Sequence, residues 1–179
     1  MQLVYYVAAS EDGFIARRDG ALDWLPPIDA AQDYGYADFV ASVDGLVMGR
    51  ATWRVLRGFG GGWPYGPRPG WVISRAALED DAPANVQACA FDLPALWQAW
   101  TALGLKRVWL VGGGQTAGAF LRAEAIDRLI LTTVPVRLRE GVPLFGADDP
   151  LGSSLEGWTD VGAPRRWPNG LSQRLLRRA

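Results

Sequence analysis

Three short stretches carry residue types suited to gripping an anion. Residues 108–121 read VWLVGGGQTAGAFL: four apolar residues run into Gly112, Gly113 and Gly114, then into Gln115, Thr116 and apolar residues at helical spacing. Glycine inside a regular element costs backbone entropy, so three in a row between strand and helix imply unusual dihedrals or an object lying close against the main chain. Phosphate is the leading candidate, because the first turn of a helix presents unpaired N–H groups at the positive end of its dipole. A glycine turn that serves packing alone is the alternative. The second stretch, Met48-Gly49-Arg50-Ala51-Thr52, repeats the order strand, glycine, helix, and the third, Ser74-Arg75, follows another apolar run. Two helix N-termini with small residues would hold two phosphates, and the Arg50 and Arg75 guanidinium groups would supply charge-assisted hydrogen bonds to a third. The alternative for both arginines is a place on the surface with no ligand.

Proton chemistry is restricted by what is missing. The chain has no histidine and one cysteine, Cys89, and its one lysine is Lys106. That removes imidazole-based hydrolysis, an internal disulfide and a His/Cys metal site, and it makes a Schiff base a poor choice. A carboxylate, a tyrosine, a lysine or water must then move any proton. A formal charge of −1 gives no broad electrostatic footprint for nucleic acid or an anionic membrane, and the arginines at 165, 166, 174, 177 and 178 read as a solvated edge. No apolar run reaches membrane-spanning length and MQLVYYVAAS lacks a basic leader, so no membrane partner and a cytoplasmic setting are expected.

The elements that must position these residues follow from the apolar pattern. At 179 residues, with 49% hydrophobic and 21% charged residues, the chain is expected to fold as one domain over 1–179. Gln2 to Ala9 reads as a buried strand, followed by a long loop from Ser10 to Trp24 with two Asp-Gly turns and the apolar Phe14-Ile15, the make-up of a lid. A helix is expected from Ala31 to Val43, then strand 45–48, a short helix from Ala51, a glycine and proline loop over 59–70 whose glycines are a surface turn, strand 71–74 and strand 86–91. Asp92 should cap a helix whose Leu93, Leu96, Trp97, Trp100 and Leu103 form one apolar stripe, the tryptophans acting as core anchors. Strand 108–111 and helix 115–125 follow, then extended segments at 128–137, 158–163 and 171–177. Alternating strands and helices followed by consecutive strands predict a mostly parallel sheet with antiparallel strands at one side. The three anion-suited stretches then converge at the carboxyl ends of strands, where open α/β sheets bind ligands.

In order along the chain, SEDGFIA with DWLPP, LVMGRATW, WVISR, VWLVGGGQTAGAFL and RLILTTVPV resemble the dihydrofolate reductase superfamily, and more closely its branch containing the reductase domain of riboflavin biosynthesis. The resemblance implies a three-layer α/β fold, a mostly parallel mixed sheet of eight strands with an antiparallel C-terminal edge and helices on both faces. It implies NADPH as hydride donor and a pterin, folate or aminopyrimidine as acceptor. By the same resemblance Gly49, Arg50, Ala51 and Thr52 form one phosphate turn and Gly112 to Thr116 the other. Ser74 and Arg75 stand at the adenosine 2′-phosphate, Ala8, Ile15 and Ala16 flank the nicotinamide, and the 10–24 loop is the lid. Trp24 stands at the mouth of the site or plugs the loop, and Thr132 shares hydrogen bonds with the substrate ring. Counting back from MGR places the substrate-holding, proton-assisting carboxylate at Asp33, with a pKa raised by a closed apolar site; a helix cap is its alternative role, and Asp38 or bound water the alternative donor. The resemblance also implies a homodimer through the late strands. The leading functional expectation is an NADPH-dependent reductase of a small planar heterocycle. The alternatives are a ribosylaminopyrimidine-phosphate reductase, which needs a substrate-phosphate cation in the 54–68 region, and a dinucleotide-binding protein without turnover.

Overall fold

The computed structural model describes residues 1–27, 32–146 and 155–178. Its elements, in chain order, are β1 (Gln2–Ser10), β2 (Phe14–Ala16), α1 (Tyr36–Ala41), β3 (Gly45–Gly49), α2 (Arg50–Gly58), β4 (Gly70–Ile73), β5 (Val86–Cys89), α3 (Leu93–Ala102), β6 (Arg107–Gly112), α4 (Gly114–Arg122), β7 (Arg128–Val134), β8 (Val142–Pro143), β9 (Trp158–Asp160), β10 (Arg165–Arg166) and β11 (Ser172–Arg178).

Nine of the strands form one mixed sheet in the order β10-β11-β7-β1-β6-β3-β4-β5, with β9 also paired to β11. From β5 to β7 every neighbouring pair is parallel, and β11 turns antiparallel against β7. The antiparallel edge therefore begins at β11, one strand later than the change in sequence pattern after Asp127. β2 and β8 form a separate two-stranded sheet.

Strands buried on both faces read as continuous apolar runs, and successive side chains alternate between the two layers they serve. On β6, Val108 and Leu110 pack with Leu96, Trp100, Ala117 and Phe120 of α3 and α4, whereas Trp109 between them packs with Phe39 of α1 and Trp53 of α2. On β1, Leu3 and Tyr5 join the first layer and Val4 the second. The result is a helix–sheet–helix sandwich with one apolar layer on each side, as expected. Trp100 is fully buried edge-on to Trp71, so this member of the α3 stripe is a core anchor. The Asp92 carboxylate accepts the Ala95 N–H at 3.0 Å and starts that helix as the sequence predicts.

Two expectations are corrected. The helix expected from Ala31 begins at Tyr36, because Tyr34 and Gly35 are left-handed (φ 56° and 81°) and interrupt the helical path; Ala31 itself lies outside the described residues. The segment from Ser10 to Trp24, expected to be loop, contains β2, which like β8 and β10 has too few residues to show the alternation that marks a strand in sequence. Among the described residues no helix is long and apolar enough to cross a membrane.

Candidate functional site

The N-termini of α2 and α4 lie side by side at the carboxyl ends of β3 and β6. A methyl group built on Gly49 would run into the Thr116 hydroxyl and sit 3.7 Å from the Gly113 nitrogen, and one built on Gly113 would sit 3.3 Å from the Thr52 hydroxyl. Each helix tip therefore presents a threonine to the other tip's glycine. Gly49 and Gly113 are the two N-caps, and neither helix has a side-chain cap. The first N–H groups of such helices have no intrahelical acceptor and favour an anion.

The three glycines have separate neighbours. Gly112 and Gly113 line a cavity, whereas Gly114 is buried with its Cα against the Pro143 carbonyl, so part of the glycine run serves close packing of α4 on β8. Gln115 lies outside that cavity, on a shallow depression beside Arg18 and Arg139.

That cavity, of about 460 Å³, opens in front of the helix tips. Ala51, Thr52, Gly112 and Gly113 form its floor on one side; Ala8 and Thr132 come from β1 and β7, and Ile15 and Ala16 from the segment expected to be a lid. That segment is held over the cavity. Phe14 and Ala16 pair with Pro143 and Val142, Ser10 Oγ and the Leu138 and Arg139 N–H groups donate to the Asp12 carboxylate, and Arg17 pairs with Asp23.

The inner wall is aromatic, and sequence reading missed most of it. Tyr6, Tyr65 and Trp109 line the cavity together with Tyr36. Tyr36, Phe39 and Tyr65 each meet the Trp109 ring edge-on, with centroids 5.3 to 6.0 Å apart. Burial pushes the Tyr6 and Tyr65 phenols above their ordinary pKa, so both remain neutral donors in this setting. The polar groups are few. Thr132, 6% exposed, accepts the Gln173 Nε2–H at 2.9 Å.

Asp33 lines the same cavity, so the motif count brings it to the pocket. Its electrostatics run opposite to the expectation: the Ala37 and Gly35 N–H groups, both donating at 2.9 Å, hold the carboxyl below the usual aspartate range. The enclosed site does not raise it, because the carboxylate faces the first turn of α1 and caps it. Asp38 is exposed and does not line the cavity.

The arginine stretches are arranged differently from each other. The Arg50 guanidinium donates to Glu79 at 2.7 Å and to the Ala77 carbonyl at 2.8 Å, and Trp53 Nε1 donates to the same carboxylate at 2.8 Å. These bonds hold Glu79 below its ordinary pKa and fasten the loop after β4 to α2. Arg75 is exposed on that loop, where the Ser74 hydroxyl closes a turn with Ala76. Trp24 is buried with Tyr34, Val134 and Leu171, which themselves line the cavity, and its indole N–H has no acceptor among the described residues; it packs as a plug directly behind the cavity wall.

Comparison with known proteins agrees with this arrangement. An uncharacterized Bacillus subtilis (strain 168) protein, YwjB, is 33% identical over 149 residues, which is 79% of this chain and 81% of that protein. The crystal structure of a Shewanella sp. PV-4 protein named for riboflavin biosynthesis superposes with a TM-score of 0.82 at 30% identity, covering 100% of this chain and 99% of its own. A Thermotoga maritima diaminohydroxyphosphoribosylaminopyrimidine deaminase/5-amino-6-(5-phosphoribosylamino)uracil reductase shares the fold, with a TM-score of 0.73 at 13% identity, over 99% of this chain and 56% of that one. Residues 63–162 match the RibD C-terminal domain, more than half of the chain. With the mixed sheet, paired helix tips and cavity described above, the chain belongs to the RibD C-terminal domain family, within the dihydrofolate reductase-like superfamily.

Proposed function

We propose that the protein is an NADPH-dependent reductase that delivers a hydride to a small planar heterocycle bound in the cavity. The observation that carries this reading is the meeting of two uncapped helix N-termini at the edge of an aromatic-walled cavity, which suits a pyrophosphate on one side and a flat ring on the other. The residues fit the cofactor: among the described residues only the Thr52 hydroxyl comes within 4 Å of where a Cβ on Gly113 would stand, which leaves the main chain there open to a ligand, and both helix tips keep their first N–H groups free of side-chain caps. When bound, NADPH supplies the hydride.

The protein's own work is to bind, align and dry the reactants. The N–H groups at the starts of α2 and α4 would hold the pyrophosphate, and Ser74 and Arg75 the 2′-phosphate. Ala8, Ile15 and Ala16 offer small or aliphatic surface to the nicotinamide. Arg50, being engaged by Glu79, would act by holding the 74–79 loop in place. Asp33, kept ionised by its two backbone donors, would accept an N–H from the substrate ring, and Thr132 would offer its hydroxyl hydrogen while Gln173 donates to its oxygen. The proton that completes reduction would then come from water.

Family membership favours a second substrate reading, a ribosylaminopyrimidine phosphate. The test is titration with NADPH followed by loss of nicotinamide absorbance in the presence of dihydropterins, dihydrofolate and a ribosylaminopyrimidine phosphate. Binding and oxidation support a reductase and select its substrate. Binding without oxidation by any of these leaves a dinucleotide-binding protein without turnover, and absence of binding rejects the proposal.

A further inference from the structure

We infer that the acceptor in this cavity is a neutral aromatic heterocycle without a phosphate, an inference that rests on the reductase reading and names its substrate class. Asp33 is the one charged side chain among the cavity's described lining residues, and no lysine or arginine lines it. All 18 basic residues of the chain lie outside 28–31 and 147–154, so those segments add none.

A phosphate monoester is close to dianionic at neutral pH, and placing it in an apolar enclosure requires cations or a cluster of N–H donors. No cation lines this cavity, and the N–H groups at its edge have other roles. Of the arginines in the 54–68 region, where a phosphorylated substrate would need its cation, Arg57 pairs with Asp81, Arg68 donates to the carbonyls of Val43 and Tyr65, and Arg54 does not line the cavity. Arg165, on β10, has its guanidinium 3.4 Å from where a Cβ on Gly35 would lie and does not line the cavity. The tips of α2 and α4 are assigned to the cofactor, and the Asp33 carboxylate takes two N–H groups at the start of α1.

The surface that remains suits a flat uncharged ring. Tyr6, Tyr36, Tyr65 and Trp109 offer faces and edges on the inside, and Phe59, 72% exposed, and Leu22 extend an apolar surface outward. An exposed phenylalanine of this size at the mouth is explained by a ligand that covers it.

The test compares binding, with NADPH present, of two matched pairs: a ribosylaminopyrimidine and its phosphate ester, and a dihydropterin alcohol and its phosphate ester. The neutral member of each pair is expected to bind at least about tenfold more tightly, and Phe59→Arg, which places a guanidinium at the mouth, is expected to narrow or reverse that preference. Tighter binding of the esters that is lost in Arg165→Ala or Arg54→Ala overturns the inference, as does failure of both neutral compounds to bind. Oxidation of NADPH by a phosphate ester would overturn it while leaving the reductase reading intact. Failure of NADPH itself to bind would reject the reductase reading, and the pairs, titrated without cofactor, would still report the charge preference.

Discussion

Alanine at two adjacent glycines separates anion binding from packing. At Gly113 the backbone is extended on the negative side (φ −82°), which any residue adopts, and an added Cβ would lie 3.3 Å from the Thr52 hydroxyl oxygen. Thr52 must yield by a few tenths of an ångström, so Gly113→Ala should cost about 1 kcal/mol of stability, the low end for overpacking. The methyl group nevertheless stands on the tip of α4 where a pyrophosphate would rest. Losing one hydrogen bond to a charged oxygen costs about 1.5–3 kcal/mol, so NADPH should bind roughly tenfold to a hundredfold more weakly.

Gly114→Ala has the opposite signature. Its Cβ would collide with the Pro143 carbonyl oxygen, 3.3 Å from the carbonyl carbon and 3.2 Å from the Gly146 nitrogen. These are backbone atoms, which no rotamer change removes. A cost of about 3 kcal/mol is expected, a fall of roughly 6–12 °C in Tm for a chain of this size. Thermal unfolding followed by circular dichroism and NADPH titration followed by tryptophan fluorescence measure the two quantities. A folded Gly113→Ala protein with unchanged NADPH affinity refutes the anion-binding role of the α4 tip, and an unchanged Tm in Gly114→Ala refutes the packing account.

Arg75→Ala should weaken NADPH about tenfold or more while leaving NADH nearly unaffected, whereas Arg50→Ala should weaken both alike by loosening the 74–79 loop; equal losses in Arg75→Ala would remove it from the 2′-phosphate. For Asp33→Asn, a large loss of turnover with retained fold is expected, and full activity would transfer its role to solvent. Because the folded-state pKa of Asp33 is depressed, its contribution to stability is present above the unfolded-state pKa and lost as pH falls through the folded-state value; denaturant midpoints of Asp33→Asn should lack that acid-side decline. Thr132→Val strips the acceptor from the Gln173 amide in a buried setting and should cost about 1–3 kcal/mol in chemical denaturation, with weaker substrate binding than NADPH binding. Asp92→Ala, removing the cap of α3 far from the cavity, should cost about 1 kcal/mol and leave cofactor affinity unchanged; a change there would connect α3 to the site.

What the sequence reveals depends on how local the physics is. The β3–α2 and β6–α4 turns are legible because a buried strand, a glycine and a helix leave a signature within a dozen residues, and the Asp92 cap because its partner is three residues away. Asp33 could be brought to the cavity by motif spacing, but the direction of its pKa could not be read, since that depends on which way the carboxylate turns relative to Gly35 and Ala37. Gly113 and Gly114 are identical in sequence and differ only in tertiary neighbours, Thr52 in one case and Pro143 in the other. Arg50 looks like a free cation until Glu79, 29 residues later, is folded against it. The aromatic wall is hidden for a further reason: Tyr6, Tyr65 and Trp109 come from three distant stretches, and Tyr6 and Trp109 sit in apolar strand runs where every position looks like core.

Pro143 belongs to two contacts at once. It pairs with Phe14 in the small sheet beneath the 10–24 segment, and its carbonyl lies against Gly114 at the start of α4. A swing of the Phe14 strand that drags this residue must also disturb the first turn of α4. Filling that turn with a dinucleotide would therefore stiffen the flap above it, so the two reactants would enter in a preferred order, cofactor first, and steady-state inhibition patterns would record the sequence.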